Sequence, residues 1–125
     1  MVTTAHVGLT LALVAAVALA GCDSGPVATE PPDASYISAY GLAFEQANVA
    51  APADAAFQLY FENREGIPHN VVVLDDAGGT IAKGEIFTGP SGRLLQVPAL
   101  AAGQYRLICE VHPETMKSIL AAGAT

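Results

Sequence analysis

Basic residues are scarce. The chain has five Lys and Arg against twelve Asp and Glu, a formal net charge of −7, and all of these residues lie after Gly21. An acidic body without a Lys/Arg cluster argues against nucleic acid, whose affinity rests on neutralising phosphates. It argues equally against charge-driven docking to anionic lipid, while a partner with a basic face stays open. Sustained helical periodicity is missing, as is any internal repeat, which leaves strands as the organising element. Long hydrophobic runs are missing too. The apolar stretch Val7 to Ala20 has fourteen residues without a charge. At about 1.5 Å per residue it reaches about 21 Å, short of the roughly 30 Å core of a bilayer, which argues against a stable spanning helix. Cysteine is limited to Cys22 and Cys109, and 125 residues leave room for one domain.

What is present begins with that apolar stretch. Its length suits the h-region of a signal peptide. It ends in Leu19-Ala20-Gly21-Cys22, which resembles the lipobox of bacterial lipoproteins and implies cleavage before Cys22 and acylation of its sulfur. Met1 to His6 departs from the pattern in having no Lys or Arg. From Asp23 to Ser35 the chain reads DSGPVATEPPDAS, a tether by composition. The expected organisation is therefore a lipoprotein signal peptide over residues 1–21, a lipidated Cys22 with a flexible tether over 22–35, and a domain over 36–125. The protein is expected to be exported and lipid-anchored at the outer face of the cytoplasmic membrane, on its periplasmic or extracellular side.

The body alternates apolar and polar residues in short runs. Phe57, Leu59 and Phe61 share one face, opposite Gln58 and Glu62. Further runs cover 37–44, 46–49, 69–74, 81–87, 93–97, 104–111 and 116–121. Turn formers such as Asp75-Asp76-Ala77-Gly78-Gly79 separate them. The pattern predicts an all-β, antiparallel sandwich of about seven to eight strands.

The chemistry concentrates in Cys109-Glu110-Val111-His112-Pro113-Glu114-Thr115-Met116. With Cys22 assigned to lipid, Cys109 has no disulfide partner, and a lone thiol in an oxidising compartment calls for burial or ligation. His112 follows three residues on and Met116 four beyond that, and the body's other histidine is His69. Thiolate, imidazole and thioether are soft or borderline donors of the kind copper takes. Parity lets them converge. Tyr105, Leu107 and Cys109 alternate with Arg106, Ile108 and Glu110, and His69 shares a face with Val71 and Val73. Zinc accepts such ligands but thioether is a poor donor to it. A Cys/His nucleophilic site would need a third polar orienter that no motif supplies, and a binuclear copper centre would need a second loop cysteine.

Residues 36–125 resemble the cupredoxin family, the small blue copper proteins of plastocyanin and amicyanin type. The C-x2-H-x3-M loop carries the likeness, together with His69-Asn70 after a strand ending Phe61-Glu62-Asn63. The resemblance implies a Greek-key β-sandwich and one type 1 copper held by His69, Cys109 and His112, with Met116 a weak axial ligand. It implies that Asn70 pins the two ligand loops together. Glu110 stands where the family commonly has Ser or Thr, which removes the usual side-chain partner of Asn70.

The function implied is one-electron transfer by a monomer, with a cytochrome or membrane oxidoreductase as redox partner and the His112 edge as electron port. Two other readings compete. One is a copper-binding module for delivery or storage, against which stands the lack of further Met or His donors. The other is a metal-free, cupredoxin-like interaction domain.

Overall fold

The computed structural model describes residues 28–123. Eleven strands follow one another: β1 (Ser35–Tyr40), β2 (Ala43–Phe44), β3 (Asn48–Ala51), β4 (Phe57–Asn63), β5 (Pro68–His69), β6 (Val72–Leu74), β7 (Thr80–Lys83), β8 (Phe87–Thr88), β9 (Ser91–Val97), β10 (Gly103–Ile108) and β11 (Lys117–Ala122). One sheet has the order β2-β1-β4-β9, the other β3-β11-β10-β6-β7, and β5 pairs with β8 as a small ribbon. The all-β expectation holds. The count is higher because three of the eight expected runs are each cut in two: at Gly41-Leu42, at Asn70-Val71 and at Gly84 to Ile86.

The sheets are mixed, which corrects the purely antiparallel expectation. β1 runs parallel to β4, and β3 runs parallel to β11. The chain passes from one sheet to the other between β2 and β3, so one N-terminal stretch supplies a parallel strand to each. Polar side chains hold that crossing in place. Gln46 Oε1 accepts the Ser38 N–H at 2.7 Å, and Gln46 O accepts the Ser118 hydroxyl at 2.6 Å.

Alternation then does the packing. Ile37, Leu59, Leu107 and Leu120 are fully buried between the sheets, with Phe61, Val73 and Val97 beside them. Burying each such side chain contributes about 1.5–3 kcal/mol. Small residues, Ala39, Ala51, Ala82 and Ala122, fill positions where the sheets approach.

The expected tether is too long at its C-terminal end. Ser35 already belongs to β1, and Ala28 is hydrogen-bonded to Gly92 and Tyr60. Composition misled because Pro31 and Pro32 punctuate a turn lying on the sheet, in which Ala34 N–H meets Pro31 O at 3.1 Å. Cys22 and the apolar segment before it lie outside the described residues. Among the described residues, no helix is long and apolar enough to cross a membrane.

One end of the sandwich gathers the residues of interest. β4 finishes at Asn63, which ties the following loop and β8 together in three bonds. It donates to Ile67 O at 2.8 Å and Phe87 O at 2.9 Å, and accepts the Glu65 N–H at 3.1 Å. Gly89 closes against this loop so tightly that a Cβ would meet Asn63 O at 2.0 Å and Glu65 O at 2.9 Å. Gly89→Ala is therefore expected to lower the unfolding free energy by about 1–3 kcal/mol, as overpacking does. Urea denaturation checks this, and an unchanged midpoint would show that the loop yields freely.

Candidate metal centre

The loop after β4 brings His69 to the interior, and β10 ends one residue short of Cys109. Both residues are fully buried, as are Asn70 and Met116, whereas His112 is half-buried. His69 Nδ1 lies 3.8 Å from Cys109 Sγ and 3.2 Å from His112 Nδ1. One donor atom from each of the three residues falls within 4.8 Å of the others. Such spacings suit donors that each stand about 2.0–2.3 Å from a common ion. The two imidazoles meet edge to face, with ring centroids 5.0 Å apart.

The Cys109–Met116 loop is closed at its base. Cys109 N–H donates to Met116 O at 3.2 Å, and Met116 N–H donates to His112 O at 3.0 Å. The turn folds His112 back over the thiol and returns Met116 to the core. Its fully buried thioether sits where β11 begins, at the same end of the sandwich as the three donors.

Asn70 bonds to both sides. Its amide nitrogen donates to Gly84 O at 3.0 Å, and its oxygen accepts the Glu110 N–H, also at 3.0 Å. The bond to the cysteine loop thus uses the backbone, so the Glu side chain at 110 does not break it. That side chain turns outward to Lys83, 2.7 Å away.

Glu65 was not among the residues expected at the site. Its Oε1 lies 2.6 Å from His69 Nε2, and its two oxygens also accept the N–H groups of Gly41 and Leu42, each at 3.0 Å. Those two residues form the loop between β1 and β2, with φ of 65° and 58°. Leu42 has the left-handed geometry that side chains disfavour, and the carboxylate offsets its cost. Burial by itself would raise the Glu65 carboxyl. The hydrogen bonds from His69, Leu42 and Gly41 overcome this and hold it below the ordinary carboxylate range. An ionised Glu65 keeps the proton of His69 on Nε2, so the Nδ1 lone pair faces Cys109 and His112. The signal available in the sequence was the spacing Glu65-x3-His69, a carboxylate one short loop before an imidazole.

Neither a protein-family model nor a curated protein sequence matches the chain. Solved structures do. Auracyanin A from Chloroflexus aurantiacus, a "blue" copper protein, aligns at 20% identity over 70% of this chain and 96% of its own, with a TM-score of 0.62. Auracyanin from Roseiflexus castenholzii aligns at 17% identity over 71% and 95%, also with a TM-score of 0.62. Amicyanin from Paracoccus versutus aligns at 26% identity over 74% and 84%, with a TM-score of 0.57. The chain has the cupredoxin fold. Within that fold the three donors occupy one end of the sandwich, joined by loops that Asn63, Glu65 and Asn70 tie to the backbone. An open groove of about 610 Å³ on the outer face of the five-stranded sheet, along Leu74, Arg106 and Ile119, includes none of the donors.

Two carboxylates separate buried from exposed roles. Glu65→Gln places an amide N–H against a backbone N–H and is expected to cost about 1.5–3 kcal/mol in chemical denaturation, the range for hydrogen bonds to a charged group. Glu114→Gln removes an exposed partner of Lys117 and is expected to cost under about 1 kcal/mol. Equal effects would mean that the Glu65 bonds do not hold the site.

Proposed function

We propose that the chain is an exported, lipid-anchored type 1 copper protein that carries single electrons. One observation carries the reading: a buried thiol and two imidazole nitrogens converge within 4.8 Å at one end of a cupredoxin sandwich. The donor set fits copper, since two His and one Cys with a thioether close by is the blue-copper combination. Bound there, copper supplies a one-electron couple between its two common oxidation states.

The protein's own residues prepare the site for that use. His69 is held by Glu65 on its far nitrogen, and the peptide after Cys109 is held by Asn70. Neither ligand loop has to rearrange when charge changes, which keeps the reorganisation small. His69, Cys109 and His112 would hold the ion, and the buried Met116 thioether would offer it a fourth, weaker donor. Full burial of Cys109 and Met116 withholds water from the centre. The half-buried His112 is the surface-facing donor, beside exposed Val111 and Pro113. Its ring edge is the proposed route for the electron to and from redox partner proteins. Export and anchoring are supported by the apolar run ending in Leu19-Ala20-Gly21-Cys22.

Titrating the purified chain with Cu(II) tests the reading. The expected result is one equivalent bound, with an intense visible thiolate-to-copper band that Cys109→Ala abolishes. Colourless, weak binding would move the protein to copper delivery, and no binding would leave it a metal-free interaction domain.

A further inference from the structure

The described chain begins before β1, on the outer face of the four-stranded sheet. Ala28 donates its N–H to Gly92 O at 3.3 Å, and its carbonyl accepts the Tyr60 hydroxyl at 3.1 Å. The contact is built into the sheet. Tyr60 is stacked on Tyr36 with ring centroids 6.0 Å apart, and its ring lies across Gly92, where a Cβ would meet the hydroxyl at 2.1 Å. Ser35 Oγ then ties the start of β1 to Ala50 O at 2.7 Å. Residues 28–35 are thus part of the domain wall.

The tie sits beside the metal end. Gly92 pairs with Glu62, one step from the terminal pair Asn63–Ser91. The next residue, Arg93, lays its guanidinium over the Phe87 ring at 4.5 Å, and Phe87 pairs with His69. From Cys22 to Ala28 there are six residue steps, which at full extension span about 20 Å. A lipid on Cys22 therefore limits how far this end can stand from the bilayer.

Exposed apolar surface points the same way. Leu42, Ile67, Ile86 and Val111, all exposed, occupy the loops of the metal end.

We propose that the anchored domain is oriented with its metal end toward the bilayer and presents Leu42, Ile67, Ile86 and Val111 to a redox protein embedded in the same membrane. The inference rests on reading Cys22 as acylated and the site as an electron carrier. Its test uses the full acylated chain on vesicles of phosphatidylcholine and phosphatidylglycerol carrying headgroup spin labels. The chain has no tryptophan, so Ile67→Trp and Asp76→Trp each install a single reporter. The two ends stand about 20 Å apart along the strands, and quenching is expected to be at least about twofold stronger for Ile67→Trp. Lengthening the Val27–Ala28 connection with a long Gly-Ser insert is expected to erase the difference. Equal quenching, or stronger quenching of Asp76→Trp, overturns the orientation. A chain without acyl mass on Cys22 that stays in the supernatant overturns instead the anchoring on which it rests.

Discussion

Two imidazoles and a thiol meet inside an apolar sandwich, and the Glu65–His69 hydrogen bond makes that arrangement tolerable. A buried imidazole with an orphaned nitrogen would cost about 1–3 kcal/mol. Glu65 satisfies the far nitrogen of His69 and so leaves the near one for the donor cluster. The same carboxylate neutralises two backbone N–H groups of the Gly41–Leu42 turn. One anion therefore couples three things: the turn that ends β1, the loop that follows β4, and the orientation of a ligand. Asn63 adds the floor of that loop, and Gly89 fits under it because it has no side chain.

The remaining restraints follow the same rule. Backbone groups are held by amide or carboxylate side chains, and Glu45, Glu85, Glu110 and Glu114 are paired with cations. Asn70 reaches the cysteine loop through the Glu110 N–H, which any residue but proline provides at that position, so the Glu side chain remains available for Lys83. The Cys109 and Met116 backbones bond to each other and close the loop from within. Rigidity at the centre thus owes little to the identity of the residues between the ligands.

Much of this was legible in the sequence, for reasons that can be named. Spacing placed Cys109, His112 and Met116 on one short loop, and strand parity turned Cys109 and His69 inward. Both arguments are local, and side-chain alternation is enforced by the two-sheet core. Glu65 was missed because a carboxylate in a Gly- and Pro-containing loop looks like an ordinary solvated residue. Its role depends on the Gly41–Leu42 turn, more than twenty residues earlier. The parallel pairing of β1 with β4 and of β3 with β11 was missed for a related reason: alternation marks a face but carries no information about a neighbour's direction. Ala28 was assigned to a tether because its partners, Tyr60 and Gly92, are visible only when folded.

The place of β11 has a further consequence, for the order of events in time. This strand comes last in the described chain, yet it lies between β3 and β10 and carries hydrogen bonds on both edges. Until it arrives, β3 has no partner in its sheet and Met116 has no strand to bring it into the core. A chain emerging from the ribosome cannot close the sandwich, or its donor cluster, before β11 has been made. Such long-range pairing belongs to slow folding, on the millisecond-to-second scale. The topology therefore keeps the chain open until β11 docks, and the donor cluster comes together only after that event.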